Sequence, residues 1–144
     1  MTLKPQVVLV PIDGSENAER ALDKVIEFAQ AGLVEKVHLV NVQYALPGAV
    51  TTFVGRKAVA GYHHDEGEKA LAPAKAKLEK AKISFQIHIG VGEPGEVITH
   101  FCKEIGCDAI TMGTRGRGGT IGLLLGSVAR DVIAKASVPV TLVK

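Results

Sequence analysis

Short runs of β-branched and apolar residues recur along the 144-residue chain, spaced so that a helix fits between most neighbours. The first, Gln6-Val-Val-Leu-Val-Pro-Ile12, is apolar at almost every position. Alternation would mark a sheet with one wet face; an unbroken run suits a strand buried on both, as in a parallel sheet. Asp13-Gly14-Ser15 closes the run with turn chemistry, and Ser15 or Asn17 can cap the next helix. Ala18, Ala21, Leu22, Val25, Ile26 and Ala29 then recur at helical spacing up to Gly32. Parallel neighbours need a crossover, and a strand–helix–strand crossover is right-handed. That one unit, repeated, predicts an α/β fold: an open parallel sheet with helices on both faces.

The rest of the chain repeats the unit. Lys36 to Val42 predicts a second strand. Gln43 to Tyr62, rich in Ala, Gly and Val and without a clean period, predicts a long loop. Asp65 to Lys82 predicts a charged helix with Leu71, Ala74, Leu78 and Ala81 on one side and Pro73 within it, where a kink or late start is expected. Ser84 to Val91 alternates cleanly and predicts an edge strand with one wet face. Gly92-Glu-Pro-Gly-Glu96 opens a helix carrying Val97, Ile98, Phe101 and Ile105. Ala109 to Met112 is the fourth strand, and Gly126-Ser127 starts a last helix with Val128, Ala129, Val132, Ile133 and Ala136 on its core face. Val138 to Val143 is the fifth strand, and Pro139 favours an edge or a strand start.

The length fits a single domain, residues 1–144, with no boundary or repeat inside it. A formal charge of +2, scattered basic residues and no tryptophan disfavour nucleic acid as a partner. No run approaches the ~18 apolar residues of a membrane span. The N-terminus has no signal-peptide layout, and Cys102 and Cys107 make neither a disulfide framework nor a CxxC pair, so the expected compartment is the cytoplasm. Cys102 lies on an apolar helix face and is expected to pack; Cys107 is read as core or rim. His63-His64 beside Asp65 and Glu66 invites a metal site, but adjacent helical residues do not share a face. A solvated helix start is the expected reading.

The chemistry concentrates after the fourth strand, in Gly113-Thr-Arg-Gly-Arg-Gly-Gly119 and the following Gly126-Ser127. Amides freed by glycine, next to a helix N-terminus, form a seat for phosphate. A Walker A loop needs lysine before the Ser/Thr, and here glycine stands there. A Rossmann fingerprint belongs after the first strand of its unit, which here reads Asp13-Gly14-Ser15. Neither pattern fits.

A third does. Gly113-x2-Gly116-x9-Gly126-Ser127 resembles the nucleotide-binding signature of the universal stress protein family, in its ATP-binding branch. Val10-Pro-Ile-Asp-Gly-Ser15, Gly92-x-Pro94-x3-Ile98 and Leu124-Leu-Gly-Ser-Val-Ala129 resemble the family's first-strand ending, third-helix entry and last-helix entry. The resemblance covers nearly the whole chain. It implies a Rossmann-like, adenine nucleotide α-hydrolase-like sheet of order 3-2-1-4-5, whose first and fourth strand ends form the ligand crevice. Carried over position by position, Pro11, Ile12 and Asp13 flank the adenosine, with Ser15 on the same strand ending. Val42 and Met112 wall the adenine, although both would be apolar whatever the function. Gly113, Arg115 and Gly116 reach ribose and phosphates. Gly126, Ser127 and Val128 offer amides, and Ser127 a hydroxyl and a helix cap, to the β and γ phosphates. The resemblance further implies ATP, with Mg²⁺ held mainly by the phosphates, a homodimer paired antiparallel through Val138–Val143, and a nucleotide-dependent stress-response module. The rivals are a slow ATPase, an autophosphorylating protein, or a module using AMP or another adenine nucleotide. No residue presents itself as a catalytic base.

Overall fold

The computed structural model describes residues 4–115 and 125–144. Its elements run β1 (Gln6–Pro11), α1 (Glu16–Gln30), β2 (Val34–Gln43), α2 (Gly48–Val54), α3 (Arg56–Lys80), β3 (Phe85–Val91), α4 (Pro94–Ile105), β4 (Ala109–Gly113), α5 (Ser127–Lys135) and β5 (Val140–Val143). The five strands are parallel, in the order β3-β2-β1-β4-β5. The sheet expectation is met in strand number, direction and order.

The unbroken apolar runs are explained by two cores, one on each face. Val8, Val10, Val37 and Leu39 pack with Leu22 and Val25 of α1 and Leu71 and Leu78 of α3. Leu9, Val40, Ile110 and Met112 pack on the other face with Ile98 and Cys102 of α4 and Ala129 and Val132 of α5. Each fully buried Val or Leu contributes about 1.5–3 kcal/mol, so truncating Leu9, completely enclosed at the centre of the sheet, is costly. Helix ends follow local chemistry. Ser15 caps α1 by accepting from the Ala18 amide at 3.2 Å. Pro94 begins α4, and Gly106 ends it in the left-handed region at φ 75°, where a side chain would be strained. Pro139 precedes β5, where its carbonyl accepts from Ile110.

Two expectations fail here. Gln43 to Tyr62 is not a long loop: it holds α2 and the first turns of α3. The buried line of α3 is His63, Gly67, Leu71, Ala74 and Leu78, and its first two members are not apolar, so a hydrophobic period starts only at Leu71. α2 buries nothing and therefore leaves no periodic signal at all. Pro73 lies within α3 between the buried Leu71 and Ala74, on the exposed side. β3 is an edge strand as expected, but its second face is not simply wet. Phe101 of α4 lies 5.1 Å from the His88 ring, and Val97 closes so tightly over Gly90 that a Cβ there would sit 2.5 Å from it. Among the described residues, no helix is long and apolar enough to cross a membrane.

Candidate functional site

The sheet reverses direction of growth between β1 and β4, whose C-terminal ends lie side by side through the register Val8↔Ala109 and Leu9↔Ile110. Such a reversal opens a crevice, because the crossover helices leave it to opposite faces. Continuing the registers past the paired residues puts Asp13, Val42 and Thr114 at about one level along the sheet. The distant segments singled out in the sequence are therefore brought together at one edge.

On the β1 side, Asp13 is half-buried and its Oδ1 accepts from the Ser15 amide at 3.0 Å, which fixes the turn leading into α1. Pro11 is half-buried at the strand end. Ile12 serves the site only indirectly. Its side chain is enclosed in the α1–α3 core, its amide donates to the Val40 carbonyl at 2.8 Å, and its carbonyl accepts from Asn41 Nδ2 at 2.8 Å. Ser15 is occupied as the α1 cap. Val42, half-buried, and Met112, buried, lie on the α4–α5 face of strands flanking β1.

On the β4 side the chain is held tightly where the glycine-rich loop begins. Gly113 is closely covered by Asn17: a Cβ on Gly113 would collide with the Asn17 Oδ1, 2.7 Å from its Cγ and 3.0 Å from its backbone carbon. Asn17 uses both ends of its amide there. Its Oδ1 accepts from the Arg115 amide at 2.7 Å, and its Nδ2 donates to the Val143 carbonyl at 3.0 Å. Thr114, also buried, donates its amide to the same Val143 carbonyl at 3.0 Å, and its own carbonyl accepts from the Gly126 amide at 2.7 Å. The described residues on either side of the loop, Thr114 and Gly126, are thus joined by a backbone hydrogen bond. Arg115 is exposed at its root. Gly116 and Arg117 lie outside the described residues.

Two details of the phosphate seat differ from the sequence reading. Gly126 does not offer its amide, because Thr114 takes it; Gly126 instead occupies the N-cap of α5. Ser127 is not the cap but the first helical residue, and no side chain caps this helix. The first intrahelical bond runs from the Arg130 amide to the Gly126 carbonyl, so the amides of Ser127, Val128 and Ala129 have no carbonyl partner within the helix. These three, the exposed Ser127 hydroxyl and the positive end of the α5 dipole lie together at one helix start, an arrangement that suits an anion. Ala129 joins the set because the cap sits one residue earlier than expected.

Asn17 and Asn41 are the residues that sequence reasoning did not assign to the site. Asn41 is a polar residue within an apolar run, buried, and it ties β2 to the end of β1; Gln43 Nε2 donates to its Oδ1 at 2.7 Å. That interruption is a signal, though not one that names the partner. Asn17 gives no such signal, since an Asn near a helix start reads first as a cap.

The histidine pair and the two cysteines singled out in the sequence belong to α3 and to the end of α4 with the turn after it. His63 is buried inside α3 while His64 is exposed, which corrects the reading of both as a solvated helix start; their burial does separate them as residues on different faces. Cys102 and Cys107 are both core residues, and burial pushes the Cys107 thiol up to about 12, leaving it inert at neutral pH. Among the described residues, no group of three or more His, Cys, Asp or Glu is arranged to hold a metal ion.

Comparison with known proteins adds to this geometry. The model of the family described as "Universal stress protein family" matches residues 5–144. Universal stress protein MJ0577 of Methanocaldococcus jannaschii is 31% identical, with 100% of this chain and 98% of that protein covered. Its solved structure superposes with a TM-score of 0.85 over 99% of this chain and 97% of that one. Two more distant structures share the fold. A universal stress protein family protein from Arabidopsis thaliana, solved with AMP bound, is 20% identical with a TM-score of 0.68, covering 97% of this chain and 92% of its own. A universal stress protein solved in complex with cAMP is 24% identical with a TM-score of 0.73, covering 98% of each chain.

Proposed function

The chain belongs to the universal stress protein family, and from that premise we propose that the crevice between β1 and β4 binds ATP and that the protein acts as a nucleotide-dependent stress-response module. The observation that carries this reading is the single bond from the Gly126 amide to the Thr114 carbonyl. It brings the two described ends of the signature, Gly113-Thr114 and Gly126-Ser127, together beside an uncapped helix start. Three amides and a hydroxyl converge there, as an anion requires.

Asp13 supplies an acceptor for the ribose hydroxyls at the adenosine end, with Val42 and Met112 as apolar walls. Arg115 and the first turn of α5 supply charge and donors for the phosphates. Mg²⁺ is held by phosphate oxygens and water, in keeping with its reluctance to dehydrate and with the lack of a carboxylate cluster among the described residues. In this assignment Asp13 lies at the opposite end of the ligand from the γ-phosphate and does not serve as a base. Turnover is therefore slow or absent. The protein is a single domain that pairs through the exposed edge of β5 with a second copy.

A second reading has support of its own: relatives with this fold hold AMP and cAMP, so the adenosine half of the crevice matters more than the phosphate chain. One experiment separates them. The protein is purified and precipitated, and the released nucleotide is identified by chromatography, alongside melting temperatures with ATP and AMP in the presence of Mg²⁺. Released ATP, or a larger shift with ATP, supports the first reading; AMP alone supports the second. No adenine nucleotide and no shift would refute both. Turnover of γ-labelled ATP well above ~1 s⁻¹ would make the protein an enzyme.

A further inference from the structure

We propose that α2 and the start of α3 form a docking tip for an anionic membrane surface. Exposed large apolar side chains are unusual on a small domain when they lie together. Here they cluster in one segment: Tyr44, Val50, Phe53, Val54 and Tyr62, with Phe53 90% exposed and Tyr44 64% exposed. Val50, Phe53 and Val54 fall at the i, i+3, i+4 spacing that puts three residues on one helical face. α2 buries none of its residues, and α3 is the element it packs on. The apolar face thus serves neither core.

Charge selects the occupant. The chain contains no acidic residue from Lys36 to His64, and the only charges near the tip within that stretch are Arg56 and Lys57, both exposed and directly following α2. The acids nearest in sequence, Asp65 and Glu66, lie further along α3 beside Tyr62, so around α2 itself an exposed apolar face meets only the basic Arg56 and Lys57, which matches the boundary between headgroups and acyl chains of an anionic bilayer. Tyr44 and Tyr62, which flank the helix, are amphipathic rings of the kind enriched at that depth. The basic collar adds attraction that a zwitterionic surface does not return.

The test is co-sedimentation of the full chain with phosphatidylcholine vesicles, with and without phosphatidylserine, at low and high salt. The expected result is binding that appears with phosphatidylserine and weakens with salt. The double variant Arg56→Glu, Lys57→Glu is expected to lose at least about tenfold in affinity, and Phe53→Asp to abolish binding. All three side chains are exposed, so the melting temperature stays within error of the parent. Failure to bind, binding of both vesicle types alike, or variants that bind as the parent does would overturn the proposal. A change in mass in solution with Phe53→Asp, without vesicle binding, would overturn it in favour of contact between copies.

Discussion

Asn17 pins the start of the glycine-rich loop through its amide side chain, and replacing it with alanine removes that tie. Two hydrogen bonds are lost, from the Arg115 amide at 2.7 Å and to the Val143 carbonyl at 3.0 Å. The Val143 carbonyl keeps the Thr114 amide as donor, so that loss is worth about 0.5–1.5 kcal/mol. The Arg115 amide keeps no protein acceptor, which costs about 1–3 kcal/mol if it stays shielded from water. Together the two give a loss of about 1.5–4.5 kcal/mol, read as a shift of the urea midpoint by circular dichroism. Gly113→Ala attacks the same contact from the other side, since its new Cβ collides with the Asn17 side chain; overpacking of this kind costs about 1–3 kcal/mol. In the Asn17→Ala background most of that clash is gone, leaving the Asn17 backbone carbon at 3.0 Å. The double variant is therefore less destabilised than the sum, with a coupling of about 1–2 kcal/mol. Additive losses, or an Asn17→Ala protein within the ~±0.5 kcal/mol scale of neutral surface changes, would refute the role assigned to Asn17.

Acid destabilisation is expected from His38 and His88, which share a 2.9 Å hydrogen bond between β2 and β3. Burial, then His88 and Lys36, holds His38 down at about 4; burial and then Lys36 lower His88. The unfolded chain therefore takes up protons first, so this stability is whole above about pH 6.5 and is lost as pH falls towards 4, by about 3 kcal/mol for His38 alone. Urea midpoints at pH 7 and pH 5 measure it, and His38→Leu should flatten the difference. In the proposed dimer, Thr141→Glu on the exposed side of β5 is expected to give monomers by light scattering with an unchanged melting temperature; an intact dimer would move the interface elsewhere. Asp13→Asn keeps an oxygen to accept the Ser15 amide, so the fold is expected to persist while ATP affinity falls by about tenfold, a charged hydrogen bond being worth roughly 1.5–3 kcal/mol; calorimetric titration reads the change.

The parts of this fold that were legible are those that repeat a physical period. Val7 to Val10 reads as a strand covered on both sides because both sides are covered, by α1 and α3 on one face and α4 and α5 on the other. Ser15 and Pro139 mark ends because their backbone and side-chain chemistry permits little else. What was hidden lacks a period or depends on tertiary partners. α2 turns no residue inward, and the upper half of α3 buries His63 and Gly67, so neither produces an apolar stripe. β3 alternates like a half-wet strand, yet α4 crosses its second face, a contact that only the packing of Phe101 on His88 reveals. At the site, the glycine spacing was visible but the allocation of amides was not. Whether Gly126 donates to a ligand or to Thr114 is decided by where β4 ends relative to α5, and the structure gives that amide to Thr114.

The central claim is that an adenine nucleotide lies across the ends of β1 and β4 with its phosphates on the start of α5. Gly126 has φ −73° and ψ 165°, a backbone that any residue adopts, so Gly126→Val adds a side chain at the seat without forcing the backbone from its path, at the modest cost of a poorer N-cap. Gly126 is the N-cap residue directly before the amides of Ser127, Val128 and Ala129, where the phosphates are assigned. Titration calorimetry of parent and variant with ATP and Mg²⁺ is the direct measurement. Saturable binding by the parent and none by the variant, with both proteins folded, is the predicted result. Equal affinity in the two proteins would contradict it and put the nucleotide elsewhere.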